Sequence, residues 1–158
     1  MNTQSGTSVS GKQTPDSQGF AADKASLSEW LGYLEALHPT EIDLGLDRLR
    51  QVAERLDITS LPCKVVTVAG TNGKGSTVAL LESVLRAGGY RTGSYTSPHF
   101  LHYNERIALD GEPVADELIC KAFAQIEQAR GDISLTYFEF GTLAAFLVFA
   151  EQKPDVAI

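Results

Sequence analysis

Residues 65–77 read VVTVAGTNGKGST and combine a strand, a turn and the start of a helix in one short run. The first four residues are β-branched, which is typical of a strand that is buried on both faces of a parallel sheet. Glycines at positions 70, 73 and 75 allow the backbone to adopt positive φ angles and to approach a ligand closely. A helix that begins near Ser76 points its free N–H groups back at this turn. The run therefore predicts an α/β fold, in which a parallel sheet is flanked by helices.

The glycine-rich turn has the chemistry of a phosphate site, because N–H groups and the positive end of a helix dipole favour an anion. Lys74 adds a mobile positive charge for the β- and γ-phosphates, and Ser76 or Thr77 offers a hydroxyl group for phosphate or magnesium. The spacing departs from the phosphate-loop pattern G-x-x-x-x-G-K-[ST], since Val68 stands at its first glycine and Gly75 follows the lysine. A glycine-rich turn with an exposed lysine is the alternative interpretation. The coincidence of strand, glycines, lysine and helix start favours nucleotide binding.

The composition excludes several classes of function. With 158 residues, of which 43% are hydrophobic, the chain is long enough for one domain with a substantial core. Its net charge of −7 argues against a general affinity for nucleic acid or anionic membranes. Cys63 and Cys120 form no metal-binding motif, and they fit free thiols in a reducing compartment.

The first 25 residues are rich in Ser, Thr, Gln and Gly, and they predict a disordered N-terminal tail. They lack the basic start and the apolar run of a signal peptide, and no later stretch is long enough to span a bilayer. We therefore expect a cytoplasmic protein whose ordered part begins at Ser26.

Two amphipathic helices are predicted between this tail and the strand. The first begins at a capping box formed by Ser26 and Glu29 and ends before Pro39. Asp43 precedes the second helix and is most simply a helix cap. The apolar faces of the two helices are expected to be Leu27, Trp30, Leu31 and Leu34, and Leu46, Leu49, Ala53 and Leu56.

The helix after the glycine-rich turn is expected to bury Val78, Leu81, Val84 and Leu85. Residues 90–96 predict a second strand, so that residues 65–96 form a βαβ unit with parallel strands. Ligands bind beyond the carboxyl ends of the strands in such sheets, which places Ser97 and His99 at the same edge as Lys74. By pattern alone, each of these two residues would be a simple turn residue.

A hairpin and two more helices are predicted in the second half of the chain. Asp110-Gly111 indicates a tight turn, and Pro113 confines the hairpin to the edge of the sheet. One helix follows from Asp116 to Gly131. A second capping box, Thr136 to Glu139, opens a helix over residues 140–150 that is apolar nearly all round.

The last three residues, 156–158, begin a strand that belongs in the middle of a parallel sheet. Because a buried strand usually has about five or six residues, we expect the chain to be the N-terminal part of a longer protein.

Several stretches match one family in order. The chain resembles the N-terminal portion of the bifunctional dihydrofolate synthase/folylpolyglutamate synthases, which are related to the Mur ligases. The family's loop, Gly-Thr-Asn-Gly-Lys-Gly-Ser/Thr, also explains the irregular spacing at residues 70–76. The matching stretches are residues 42–46 (IDLGL), 68–76 (VAGTNGKGS), 96–99 (TSPH), 104–106 (NER) and 131–139 (GDISLTYFE).

The resemblance implies a cytoplasmic, monomeric, ATP-dependent amide ligase with a Mur-ligase-like ATP-binding domain. ATP would phosphorylate the carboxylate of dihydropteroate, or of the terminal glutamate of a tetrahydrofolate. The amine of L-glutamate would then attack the acyl phosphate and release inorganic phosphate, giving dihydrofolate or folylpolyglutamates. Mg²⁺ is the implied cofactor, and neither nucleic acid nor membrane is an implied partner.

The resemblance also implies roles for individual residues. Lys74 would be catalytic, and Ser97 would be a magnesium ligand. The side chains of Tyr137 and Phe138 would offer aromatic surface to the pterin or benzoate ring, and capping and ligand contact can coexist at Asp43 and Glu139. ATP would be bound by Gly70, Thr71, Asn72, Gly73, Lys74, Gly75 and Ser76. The pteroate pocket would be lined by Asp43, Leu44, Gly45, Leu46, Thr136, Tyr137, Phe138 and Glu139.

Residues 26–158 would then form the first part of the ATP-binding domain. The rest of that domain and a C-terminal glutamate ligase domain would lie outside the chain, so we expect negligible turnover from these residues alone. Two other functions stay open. A small-molecule kinase with a phosphate loop would share Lys74 without needing the segments at Asp43 and Thr136, and a non-catalytic module would bind nucleotide or folate without turnover.

Overall fold

The computed structural model describes residues 20–37 and 45–158. This part of the chain contains five α-helices, five short strands and one 3-10 helix. The elements are α1 (Leu27–Leu37), α2 (Asp47–Arg55), β1 (Lys64–Val65), α3 (Lys74–Ala87), β2 (Thr92–Tyr95), a 3-10 helix (Tyr103–Arg106), β3 (Ile107–Leu109), β4 (Glu112–Pro113), α4 (Asp116–Arg130), α5 (Tyr137–Gln152) and β5 (Val156–Ala157).

The strands form a mixed sheet in the order β1-β5-β2-β3-β4. β5 lies between β1 and β2 and is parallel to both, which confirms the middle position predicted for the last residues of the chain. β3 and β4 form the predicted antiparallel hairpin at the edge of the sheet. Its turn needs positive φ at both central residues, and Asp110 and Gly111 adopt φ angles of 50° and 80°.

The core lies between the four helices α1, α2, α4 and α5, of which α5 also packs on β2. Trp30, Phe123 and Phe140 are fully buried there. Both predicted capping boxes are present: Ser26 N donates to Glu29 Oε2 at 2.8 Å, and Thr136 N donates to the carboxylate of residue 139 at 2.8 Å. Among the described residues, no helix is long and apolar enough to cross a membrane.

The structure corrects the burial expected around the glycine-rich turn. Val65 was predicted to be buried on a strand covered on both faces, but it is 58% exposed. Within the described part of the chain β1 pairs only with β5, so it is an edge strand. Of the predicted stripe on α3 only Val78 is buried, and Val84 is exposed, because α3 packs chiefly on β2 rather than between two layers.

Two predictions near the N-terminus also change. The expected face of α2 included Leu46, which is exposed because the helix begins one residue later, and Val52 and Ala53 are the residues that α2 buries. Packing begins at Phe20 rather than Ser26, since the Phe20 ring stacks on Tyr33 with centroids 4.3 Å apart. Residues 1–19 of the expected tail lie outside the described residues.

Gly93 on β2 provides a test of the packing between the sheet and α5. A Cβ atom at this position would lie 2.7 Å from Phe149 Cε1 and 3.2 Å from Pro154 Cγ. We expect Gly93→Ala to lower the free energy of unfolding by about 1–3 kcal/mol, because the rings must move out of a packed position. Urea unfolding measures this change.

Gly32→Ala is the matched control, since a Cβ atom at this position on α1 would have nothing within 4 Å. That variant should unfold at the same or a slightly higher urea concentration, because alanine favours a helix. Equal midpoints for the Gly93 variant and the unchanged protein would contradict the close packing of Phe149 and Pro154 on β2.

Candidate functional site

The glycine-rich turn forms an open anion-binding geometry between β1 and α3. Gly70 and Gly73 adopt φ angles of 151° and 75°, which glycine tolerates and other residues rarely adopt. Gly73 caps α3, so the first N–H groups of that helix face the turn. Thr77 Oγ1 donates a hydrogen bond to Gly73 O at 3.0 Å, which leaves its oxygen lone pairs available. Ser76 and Thr77 are both exposed, so both hydroxyl groups are candidates for a ligand contact.

Lys74 lies over the turn that it follows. Its Nζ donates to Gly70 O at 2.6 Å and to Thr71 O at 3.4 Å, and the side chain is exposed. These are contacts with neutral carbonyl groups, which a phosphate would replace with stronger charge-assisted hydrogen bonds. The lysine is thus held within reach of an anion in the turn.

The turn opens into a cleft of about 600 Å³, here called the phosphate-loop cleft. One wall is residues 71–75, and the facing side is lined by Ser97, Phe100 and Glu105, with Pro113 contributed by the hairpin. The structure thus brings Ser97 into the cleft that holds Lys74, as the topology predicted. His99 lies in the same loop as Ser97, where its Nδ1 accepts a hydrogen bond from Arg106, and its side chain does not line the cleft.

A magnesium ion fits this arrangement through Ser97. Within residues 20–37 and 45–158, no three acidic, histidine or cysteine side chains are grouped to hold a metal ion. Nucleotide-bound Mg²⁺ needs few protein ligands, because phosphate and water oxygens fill most of its octahedral shell. A single hydroxyl group in a cleft beside the phosphate loop meets that requirement.

Glu105 organises the loop that carries Ser97, and this role was not predicted from the sequence. Its Oε2 accepts a hydrogen bond from Phe100 N at 2.7 Å, and its Oε1 accepts from Leu101 N and His102 N at 2.9 and 2.7 Å. These bonds, with that of Phe100 the largest, lower the pKa of the Glu105 carboxyl to about 2. The one signal in the sequence was the position of Glu105, three residues after His102, which precedes the 3-10 helix; this is the spacing of a capping box.

The stability that this carboxylate contributes should depend on pH. The folded-state pKa lies below the ordinary value of 4.5, so the ionised form is favoured in the folded protein. Its contribution is complete above pH 4.5 and is lost as the pH falls towards 2. The difference in unfolding free energy between the unchanged protein and Glu105→Gln should therefore shrink over that range, as measured by urea unfolding at each pH. A difference that stays constant down to pH 2 would contradict the three hydrogen bonds.

Arg106 connects this loop to α5 and was not predicted either. Its Nε donates to His99 Nδ1 at 2.8 Å, and its guanidinium carbon lies 5.4 Å from the ring centre of Tyr103 and 5.7 Å from that of Tyr137. Burial raises the pKa values of Tyr103 and Tyr137, so both phenols stay neutral. This cluster holds the loop after β2 against the start of α5.

Four residues at the start of α5 were predicted to line the pteroate pocket, and their environments differ. Thr136 and Glu139 are buried, Tyr137 is half-buried, and the Phe138 ring is half exposed with its centroid 6.2 Å from that of Tyr95. None of the four lines the phosphate-loop cleft, but Tyr95 lies only two residues before Ser97. The segment is therefore adjacent to the carboxyl end of β2.

Glu139 is fully engaged within the protein. Its carboxylate accepts from the Thr136 backbone and from Arg48 Nη2, at 3.2 and 3.3 Å from the two oxygens. Because Arg48 lies at the start of α2, this ion pair brings the segment after Gly45 and Leu46 against the start of α5. Gly45 and Leu46 are exposed there. Asp43 and Leu44, which were predicted to line the same pteroate pocket, lie outside the described residues.

Comparison with known proteins gives a consistent set of relatives, although no protein-family model matches the chain. The sequence is 52% identical over 132 residues to the dihydrofolate synthase/folylpolyglutamate synthase of Escherichia coli, covering 84% of this chain and 31% of the relative. It is 50% identical to the protein of that name from Haemophilus influenzae, of which it covers 30%. The chain thus spans about a third of the length of the curated relatives that it matches.

Solved structures show the same fold. E. coli FolC in complex with DHPP and ADP is similar with a TM-score of 0.83 and 51% identity, over 85% of this chain and 33% of that one. The bifunctional enzyme from Yersinia pestis, complexed with AMPPNP and Mn ion, is similar with a TM-score of 0.81 and 54% identity, again over 85% of this chain and 33% of that one. The described residues therefore have the mixed α/β fold, with a mostly parallel sheet and flanking helices, of these enzymes.

Proposed function

Because the chain is a homologue of the dihydrofolate synthase/folylpolyglutamate synthases over about a third of their length, we propose that the protein is an ATP-dependent amide ligase. It adds L-glutamate to dihydropteroate, giving dihydrofolate, and to tetrahydrofolate, giving folylpolyglutamates. The observation that carries this proposal is the meeting of the phosphate loop and Ser97 in one cleft, next to the aromatic start of α5.

The reaction has two steps, and both depend on placing anions close together. The acceptor carboxylate attacks the γ-phosphorus of ATP, which forms an acyl phosphate and releases ADP. The amine of glutamate then attacks the acyl carbon, forms the amide, and expels inorganic phosphate. Positive charge and N–H groups aimed at the transferring phosphoryl group provide most of the stabilisation that such a step needs.

In this proposal residues 70–76 bind the phosphates of ATP through backbone N–H groups. Lys74 exchanges its contacts with Gly70 and Thr71 for the β- and γ-phosphates. Ser97 would be the protein ligand of Mg²⁺, and the bound ion would neutralise charge on the phosphates and polarise the transferred group. The chain's own contribution is a cleft of fixed shape with one mobile cation.

The acceptor lies against the starts of α2 and α5. Phe138 is the most exposed aromatic ring of that segment and supplies apolar surface for the pterin or benzoate ring. The Tyr137 ring contacts the Arg106 guanidinium group, and this contact supports the segment that carries Phe138. Gly45 and Leu46, before α2, contribute to the same pocket, to which Asp43 and Leu44 are assigned from the resemblance alone. Thr136 and Glu139 hold the starts of α2 and α5 together through Arg48.

We also propose that residues 26–158 form the first part of the ATP-binding domain of a monomeric, cytoplasmic enzyme. A net charge of −7 supports small-molecule substrates rather than nucleic acid as partners. In this proposal the glutamate site and the remaining ATP contacts lie in the part of the protein that corresponds to the length of the relatives that this chain does not cover.

Phosphate release tests this function. The protein from the complete reading frame is supplied with Mg-ATP, dihydropteroate and glutamate, and each substrate is then omitted in turn. The isolated 158-residue segment is assayed in parallel under the same conditions. We expect release only when all three are present, and none from the segment. Release that needs an acceptor but not glutamate would indicate a kinase, and binding of ATP without any release would indicate a non-catalytic module.

A further inference from the structure

Two large apolar side chains project from the loop between β2 and the 3-10 helix. Phe100 is 90% exposed and Leu101 is 82% exposed. They are consecutive, but only Phe100 lines the phosphate-loop cleft. Because the Phe100 ring lines the cleft and is not buried in the core, it is available to a molecule bound there.

Hydrogen bonds within the loop hold its backbone in a conformation that leaves both side chains exposed. Both carboxylate oxygens of Glu105 accept from the N–H groups of residues 100–102, which fixes three successive backbone groups. Thr96 N donates to Arg106 O at 2.9 Å, and Arg106 Nε binds His99 in the same loop. The exposed position of Phe100 is therefore set by hydrogen bonds at both ends of the loop.

The geometry of the proposed reaction limits what Phe100 can touch. In the reaction of dihydropteroate the reacting carboxylate must lie at the γ-phosphate, next to Lys74. Because this carboxylate is attached directly to the benzoate ring, the ring must begin within the same cleft. Among the described residues, Phe100 is the one aromatic side chain that lines this cleft, and offset or edge-to-face packing of aromatic rings is favourable. The other residues that line the cleft are polar or glycine, apart from Val78, Ala79, Pro98, Ala108 and Pro113.

We propose that Phe100 contacts the benzoate ring of dihydropteroate, next to the reacting carboxylate, and that Glu105 is the positioning residue that holds Phe100 there. This inference rests on the proposed ligase function and names a contact for its acceptor. It separates the recognition of the ring near the carboxylate from recognition of the distant end of the acceptor, which the segment around Phe138 provides.

The test is the kinetics of phosphate release by the full-length protein. Phe100→Ala should raise the KM for dihydropteroate about tenfold, the effect of losing one packed aromatic contact, with the KM for ATP changed less than about twofold. The KM for dihydropteroate of Phe100→Leu should lie between those of Phe100→Ala and the unchanged protein. Leu101→Ala is the matched control, because it is similarly exposed on the same loop but outside the cleft, and its kinetics should match those of the unchanged protein.

The role of Glu105 is tested by a double-mutant cycle. Glu105→Gln should also raise the KM for dihydropteroate. Because it acts through Phe100, combining it with Phe100→Ala should give no further rise beyond the larger single effect. A merely structural role would lower kcat and affect both KM values, and the two changes would then multiply.

Each outcome has one meaning. An unchanged KM for dihydropteroate in Phe100→Ala, or an effect on the KM for ATP instead, would overturn the contact while leaving the ligase function intact. An equal effect in Leu101→Ala would show that the loop's general surface, not the cleft, is responsible. If the unchanged protein shows no release that depends on dihydropteroate, the proposed function itself fails.

Discussion

Lys74→Ala is expected to lower kcat for phosphate release by at least about a hundredfold, which is the usual loss when one preorganised charge or donor at a reacting group is removed. The Nζ of Lys74 is the one cation that the structure places over the phosphate loop among the described residues, and its present partners are two carbonyl groups of that loop. The affinity for ATP should fall as well, because the same charge meets the β- and γ-phosphates in the ground state. Steady-state phosphate release and nucleotide titration measure the two effects.

The fold should not change in this variant. Lys74 is exposed and makes only contacts with its own loop, so the circular dichroism spectrum and the unfolding midpoint should match those of the unchanged protein. Lys121→Ala is the control for loss of one lysine, since Lys121 on α4 forms an exposed ion pair with Glu151 and does not line the cleft. Full activity in Lys74→Ala would remove the phosphate loop from the mechanism.

Glu139→Ala is expected to lower the free energy of unfolding by about 3 kcal/mol. The change removes the carboxylate from a largely buried pair with Arg48, and breaking such a pair costs about 3–5 kcal/mol when both partners are fully buried. Because 28% of the Arg48 side chain is exposed, we expect less from the pair itself. Loss of the reciprocal cap at Thr136 adds about 1 kcal/mol. Urea unfolding measures the total.

Glu139→Gln separates stability from binding. Glutamine can keep the capping box but not the ion pair, so its loss of stability should be about half as large. Its KM for dihydropteroate then reports whether this residue also touches the acceptor. Glu151→Ala, which removes an exposed pair, should change stability by less than about 1 kcal/mol. A loss as small as that in Glu139→Ala would show that the pair with Arg48 contributes little.

Most of the correct predictions from the sequence were encoded within a few neighbouring residues. The two capping boxes depend on residues three positions apart, and the hairpin at Asp110-Gly111 depends on two residues that tolerate positive φ. The phosphate loop likewise needs only glycines, one lysine and the start of a helix. The position of Ser97 followed from topology, because parallel strands end at one edge of the sheet.

Burial was predicted less well. The β-branched run at Val65 and the apolar stripe of α3 have the pattern of buried elements, yet the run at Val65 is largely exposed and only Val78 of the stripe is buried. A pattern states which face of an element is apolar, but not which neighbour covers it. The run at Val65 is exposed because β1 lies at the edge of the sheet.

Four features could therefore be read from the chain alone: the α/β class, the glycine-rich turn that leads into α3, the capped ends of α1 and α5, and the resemblance to the folate ligases. Only the folded protein joins Arg48 to Glu139, which are 91 residues apart, and places Arg106 between the loop at His99 and the ring of Tyr137. Local backbone preferences act over one or two turns and are visible in neighbouring residues. Contacts between distant residues depend on how whole elements pack, which involves many weak interactions at once.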